Sequence, residues 1–137
     1  MNEQLYLIGH LQVMDEPLAS LYVDHVSGRY YLFVRLYVNV TKPTFLVAQV
    51  SLFQIQKYMR QEFGLNDIFS HSNTYLFSAT NLSDFSSSML LPLQRAKALE
   101  LLKKDEVDDL FDKHLSYKYV ALKNYINRCL TRTTITA

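Results

Sequence analysis

Glycine, proline and cysteine are scarce in this sequence, with three, three and one among its 137 residues. So few glycines and prolines leave little room for long flexible linkers, and 49% hydrophobic residues with 20% charged residues exclude a disordered chain. The single cysteine, Cys129, has no second cysteine with which to form an internal disulfide, and no N-terminal segment has the pattern of a secretory leader. These absences predict one domain, residues 1–137, in the reducing cytoplasm.

An excess of charge of one sign and long apolar runs are also lacking. Fourteen Lys and Arg against thirteen Asp and Glu give a net charge of +1, so any electrostatic recognition must come from local segregation of charge. Arg35 and Asn39 interrupt the longest apolar candidate, which falls short of the roughly 20 residues needed to cross a bilayer. The sequence therefore predicts no membrane-spanning segment.

Motifs for nucleophilic, phosphate or metal chemistry are missing. The chain has no G-x-S-x-G, P-loop, G-x-G-x-x-G or H-E-x-x-H pattern and no paired cysteines. Its histidines are spread over the chain at His10, His25, His71 and His114. Cys129 falls on the apolar stripe of a predicted helix, where it is typical of a small buried hydrophobe. We therefore predict no enzyme activity, no cofactor and no metal.

Alternating apolar and polar residues predict strands in the first fifty residues. A four-stranded antiparallel meander is expected over 5–13, 18–24, 29–40 and 44–50, with turns at Ser27-Gly28 and 41–44. The sequence Ser51-Leu52-Phe53-Gln54 has the pattern of a capping box, which marks the start of a helix. Residues 1–50 are thus the β part of the domain.

The second half of the chain is predicted to be mainly helical. Residues 51–91 should hold a helix at 51–63, ended by a left-handed Gly64, and a strand at 74–79 with a possible sixth strand near 88–91. Apolar spacing predicts further helices over 92–104, 107–115 and 116–130, followed by a tail at 131–137. The expected fold is α+β: a mostly antiparallel sheet, the meander plus one or two later strands, packed with about four to five helices.

The strand predicted over residues 29–40 has two different apolar faces. One is mainly aliphatic, and the other carries Tyr31, Phe33, Arg35 and Tyr37. A helix could cover this aromatic face, and the number of amphipathic helices that need an apolar surface favours that arrangement. If the face is exposed, these four residues are the candidate binding site for a partner.

Two kinds of partner fit an exposed aromatic face. Tyr, Phe and Arg are enriched at protein interfaces, so another protein or a second copy of this chain is the first expectation. The alternative is single-stranded nucleic acid, with bases stacked on the rings and phosphates near a basic surface. The residues of that basic surface are Lys118, Lys123, Arg128 and Arg132.

An acidic group follows the helix predicted over 92–104. Its members are Asp105, Glu106, Asp108, Asp109 and Asp112. Asp108 and Asp112 share a helix face and could hold a metal, but apolar residues at helical spacing between them favour the solvated face of an amphipathic helix. We interpret the group as such a face.

A further pattern runs from Pro17 to Phe33, through Gln49-Val50-Ser51 and Tyr58, to Gly64-Leu65-Asn66-Asp67-Ile68-Phe69. In this pattern the chain resembles small bacterial α+β proteins of unknown function. This resemblance implies a bacterial or phage source and no functional residue. Together with the lack of catalytic motifs, the two-faced strand predicts a non-enzymatic protein-interaction module, such as an accessory, immunity or regulatory subunit.

Overall fold

A computed structural model describes residues 5–13, 16–37, 42–78, 85–112 and 116–136, with side chains of the last range described over 120–131. The strands are β1 Leu5–Val13, β2 Pro17–Asp24, β3 Tyr30–Leu36, β4 Thr44–Val50, β5 Asn73–Ser78 and β6 Leu91–Leu93. The helices are α1 Leu52–Met59, α2 Leu65–Ser70, α3 Arg95–Lys104 and α4 Ser116–Thr136, with a 3₁₀ turn at Ser87–Met89. None of these helices is long and apolar enough to cross a membrane.

The six strands form one sheet in sequence order, β1 to β6, and every neighbouring pair is antiparallel. This confirms the α+β prediction with its fifth strand, and the sixth strand, which the sequence left open near 88–91, lies at Leu91–Leu93. Each strand pairs with the next one along the chain, although α1 and α2 separate β4 from β5. Local turns and period-two alternation are therefore sufficient to specify most of the sheet.

The aliphatic face of the sheet carries the helices. Leu32, Val34 and Leu36 of β3 are fully buried there, in one core with apolar residues from α1, α2, α3 and α4. All four described helices pack on this face, so the expectation that a helix covers the aromatic face is not met by any of them. One face suffices because α1 and α2 have only eight and six residues, and because residues 107–112 do not form a helix.

The aromatic face of the sheet is also buried, and no described helix contributes a side chain to it. Phe33 is 2% exposed, and its ring centroid lies 5.2 Å from that of Tyr22, 5.8 Å from Phe77 and 6.0 Å from Phe85. Among the described residues outside the sheet, Phe85 and Leu90 pack against this cluster. We call it the aromatic core. Its rings pack edge to face against one another, and Phe85 and Leu90 add two apolar side chains from the segment before β6.

The first helix begins as predicted and ends earlier. Ser51 Oγ accepts from Gln54 N–H at 3.2 Å and Gln54 Oε1 accepts from Ser51 N–H at 2.8 Å, which completes the capping box. The helix ends at Met59 rather than 63, and the left-handed residue after it is Gln61, with φ 62°. Gly64 has φ −98° and is instead the N-cap of α2.

The C-terminal half departs from the predicted helices at three places. Pro92 lies in β6, so α3 begins later, at Arg95, and α4 continues beyond residue 130 to Thr136. Residues 105–112 form a loop, in which Glu106 takes a left-handed conformation with φ 55°. Asp112 N–H donates to Leu11 O at 3.1 Å, so the end of this loop lies beside β1.

Candidate functional site

The loop of residues 105–112 and the ends of β1, β2 and β3 enclose a cleft of about 480 Å³. Carboxylates dominate its polar lining, and we call it the acidic cleft. The polar residues that line it are Gln12, Arg35, Tyr37, Gln61, Asp105, Glu106, Asp108 and Asp112. Its lining brings together polar groups from parts of the chain that are far apart in sequence.

Carboxylates of the loop accept hydrogen bonds from backbone N–H groups, one within the loop itself and two in other parts of the chain. Both carboxylate oxygens of Asp105 accept from Tyr37 N–H at 3.1 Å, and Asp108 Oδ1 accepts from Leu110 N–H at 2.9 Å. Asp109 Oδ1 accepts from Asn66 N–H at 2.7 Å. Such bonds compete with helix formation, so the interpretation of this segment as a solvated helix face was wrong.

Apolar side chains of the same loop point into the helix-bearing core. Phe111 is 4% exposed, and its ring centroid lies 5.7 Å from that of Tyr58 in α1. Val107 packs against the same core. The apolar residues whose spacing predicted a helix are therefore the side chains that anchor the loop in the core.

Gln12 is the most deeply buried polar side chain of the acidic cleft, at 3% exposure. Its Nε2 donates to Asp108 O at 2.6 Å and Leu110 O at 2.8 Å, and lies 2.6 Å from the Tyr58 hydroxyl. Its Oε1 is buried and has no hydrogen-bond partner among the described residues. An unsatisfied buried acceptor costs about 1–3 kcal/mol, which a ligand with an N–H donor would recover.

Arg35 is half-buried and is held by two aromatic rings. Its Cζ lies 5.2 Å from the ring centroid of Tyr37 and 5.6 Å from that of Phe45. Its Nε is buried without a hydrogen-bond partner in the described part of the chain. The side chain therefore offers an unpaired donor beside the acidic cleft, in an orientation that stacking maintains.

Tyr37 connects the rim of the cleft to β2. It is 45% exposed, and its hydroxyl donates to the Glu16 carboxylate. Partial burial is the largest cause that raises the pKa of Tyr37 to about 12, and the hydrogen bond to Glu16 is the second. The positive charge of Arg35 lowers the same pKa by a smaller amount. The phenol therefore donates its hydrogen bond to Glu16 up to a higher pH than that at which an ordinary tyrosine ionises.

Replacing Glu16 with Gln should lower the pKa of Tyr37, because the carboxylate that accepts its proton is lost. The pKa of Tyr37 rises from 10.0 to about 12 on folding, so its contribution to stability is present below pH 10 and is lost as the pH rises toward 12. As the pH rises from 10 to 12, we expect the unfolding free energy of the Glu16→Gln variant to fall less steeply than that of the unsubstituted protein. Chemical denaturation and phenolate absorbance measure it, with Tyr37→Phe as the control; a slope equal to that of the unsubstituted protein would contradict the assignment.

The structure separates the four predicted partner-binding residues into two pairs. Tyr31 and Phe33 are 1% and 2% exposed in the aromatic core, so they do not offer their rings to a partner. The expectation of an exposed aromatic face fails there because the neighbouring rings and Phe85 cover them. Arg35 and Tyr37 both line the acidic cleft.

Neither Lys123 nor Arg128, the two members of the predicted basic surface whose side chains are described, lines the acidic cleft. Lys123 and Arg128 are exposed on α4, which packs on the opposite face of the sheet from Phe33. The side chains of Lys118 and Arg132 lie outside those that the structure describes. A stacking platform for nucleic acid would need exposed rings beside these cations. In β3, Tyr31 and Phe33 are buried and Tyr30 is partly buried, and the exposed ring of Tyr37 follows the strand.

Sequence reasoning missed Gln12 and the role of Asp105. The one available signal for Gln12 is its position between Leu11 and Val13, a lone amide at the end of a largely apolar strand. Asp105 gave no comparable signal, because its partner Tyr37 N–H is 68 residues away. Among the described residues, no group of three or more His, Cys, Asp and Glu is placed to hold a metal ion.

Comparisons of the chain with protein-family models, with curated proteins and with solved structures found no match. The resemblance to small bacterial proteins therefore stays a prediction. Function has to be inferred from the acidic cleft itself.

Proposed function

We propose that this protein is a non-enzymatic protein-interaction module, an accessory, immunity or regulatory subunit, and that the acidic cleft and its rim contact the partner. The observation that carries the proposal is the coincidence of exposed apolar groups with unpaired buried polar atoms. Tyr37 and Leu110, at 45% and 52% exposure, line the cleft together with Gln12 and Arg35, whose Oε1 and Nε atoms are buried without a hydrogen-bond partner among the described residues. Rings and Arg side chains at such a position are typical of the energetic centre of an interface.

The lining of the cleft supports binding over catalysis. The described residues that form it include no serine, threonine, cysteine or histidine, so a nucleophile with an adjacent base is missing there. His10 Nδ1 and Ser20 Oγ are 2.7 Å apart, but they are opposite each other on β1 and β2, and Ser20 is only 6% exposed. A volume of about 480 Å³ is in the range of small binding sites and can take a side chain of a partner.

A photo-crosslinking residue placed at Tyr37, and separately at Leu110, tests the surface. In cells that naturally contain the protein, both positions should attach to the same partner polypeptide. Phe53 and Val120 are matched controls, because each is apolar and 55% exposed but lies on α1 or α4, outside the cleft. We expect no attachment of that polypeptide from the control positions.

The same partner should be lost after disruption of the rim. Tyr37→Ser should reduce its recovery, whereas Phe53→Ser should leave recovery unchanged while both variants keep the fold. Equal attachment from all four positions, or equal recovery with both variants, would refute the proposal that the acidic cleft is the interface.

A further inference from the structure

We infer that the acidic cleft takes a lysine or arginine side chain presented on an extended segment of the partner protein. This inference rests on the proposed function and adds the chemistry of the ligand. Asp105, Glu106, Asp108 and Asp112 line the cleft, against Arg35 as the one described cation of the lining. With four carboxylates facing one guanidinium, the cleft attracts a cationic group.

Gln12 lines the cleft, and its buried amide oxygen is an acceptor that only a donor can satisfy. Two backbone carbonyls, Asp108 O and Leu110 O, bind its Nε2 and thereby fix which side of the amide carries the oxygen. Rotation of the amide would set its oxygen against these carbonyls. The side chain is only 3% exposed, and its Oε1 has no partner among the described residues. An N–H donor would satisfy this oxygen.

The carboxylates differ in how far they are already engaged. Asp105 is occupied by Tyr37 N–H, whereas Glu106 and Asp108 are exposed, and the Glu106 carboxylate has no hydrogen bond with a described residue. Asp108 uses Oδ1 for Leu110 N–H and keeps its other oxygen for a ligand. An ammonium has three donors and a guanidinium five, so either can bind two carboxylates and a carbonyl at once.

Arg35 indicates that the cation arrives on a peptide. Its unpaired Nε–H needs an acceptor, and the carboxylates of the cleft do not form an ion pair with it among the described residues. A backbone carbonyl next to the basic side chain would satisfy this donor. A free amine has no such group, so a peptide segment fits the two unpaired atoms better than a small cation does.

Three probes test the assignment by NMR amide shifts of the labelled protein. N-acetyl-lysine N-methylamide should bind and shift residues 105–112, whereas its ε-acetylated form, which is neutral, should not. n-Butylamine, which has the charge without the carbonyl, should bind more weakly. Arginine in place of lysine should bind comparably.

Asp108→Asn is the matched variant, since it keeps Oδ1 for Leu110 N–H and removes only the charge. It should weaken binding of the lysine probe roughly tenfold, the scale of one charge-assisted contact. Glu100→Gln, an exposed carboxylate of α3 paired at 3.5 Å with Lys97, should leave binding unchanged. Equal losses in both variants would overturn the inference.

Three further outcomes would overturn it: no shift with any probe, equal binding of the ε-acetylated probe, or n-butylamine binding as tightly as the peptide probe. None of these outcomes would refute the proposal of a protein-interaction module, provided that Tyr37 and Leu110 still crosslink to one partner. Conversely, binding of the lysine probe without any crosslinked partner would refute the module while leaving a cation-binding cleft.

Discussion

Replacing Phe33 with alanine should lower the free energy of unfolding by about 3–5 kcal/mol. Phe33 is 2% exposed at the centre of the aromatic core, and its ring contacts those of Tyr22, Phe45, Phe77 and Phe85. Removing it leaves a cavity that these large rings cannot fill, because each is held by its own strand or by the segment before β6. Chemical denaturation followed by circular dichroism measures the loss.

Phe53→Ala is the matched control for this prediction. Phe53 belongs to α1, is 55% exposed and contacts Lys57, whose Nζ lies 5.1 Å from its ring centroid. An exposed substitution of this kind should cost at most about 0.5 kcal/mol. If the two variants lose the same stability, Phe33 is not the centre of a packed core and the closed aromatic face is wrong.

Replacing Gly64 with alanine should cost about 2–3 kcal/mol, because the added Cβ has no room. It would lie 2.1 Å from Asp109 Oδ2. The carboxylate cannot simply turn away, since its Oδ1 accepts from Asn66 N–H at 2.7 Å and the Asp109 carbonyl accepts from Leu65 N–H at 2.9 Å. Denaturation midpoints of the variant and the unsubstituted protein provide the measurement.

Gly28→Ala separates crowding from backbone strain. Gly28 has φ +74° and no atom within 4 Å of an added Cβ, so its substitution should cost only the roughly 1–2 kcal/mol of a left-handed alanine.

In a double-mutant cycle, Gly64→Ala should cost much less when Asp109 is already alanine. Additive losses would contradict a clash between residues 64 and 109.

Elements specified by neighbouring residues were predicted well. The meander of β1 to β4 and the start of α1 at Ser51 depend on alternation, turns and a capping box, all of which act over a few residues. The end of α1 was missed, because Gly64 looks like a left-handed terminator. Its real constraint is a close approach by Asp109, which is distant in sequence.

The loop of residues 105–112 shows how a local pattern can mislead. Its apolar spacing is helical, but Phe111 and Val107 serve to attach a loop to the core. The carboxylates of Asp105 and Asp109 bind N–H groups of Tyr37 and Asn66, and this removes the advantage of a helix. No window of the sequence around the loop contains those partners.

By itself, the sequence determined the α+β class, the pairing of successive strands and the two-faced character of β3, because these follow from the period of apolar residues along each element. Tertiary structure alone decided that Phe85 and Leu90 close the aromatic core and that Arg35 and Tyr37 border an acidic cleft. The cleft forms where Gln12 Nε2 meets Asp108 O across 96 residues of chain. A contact of that separation depends on how the whole sheet and its helices pack, and only the folded chain contains that information.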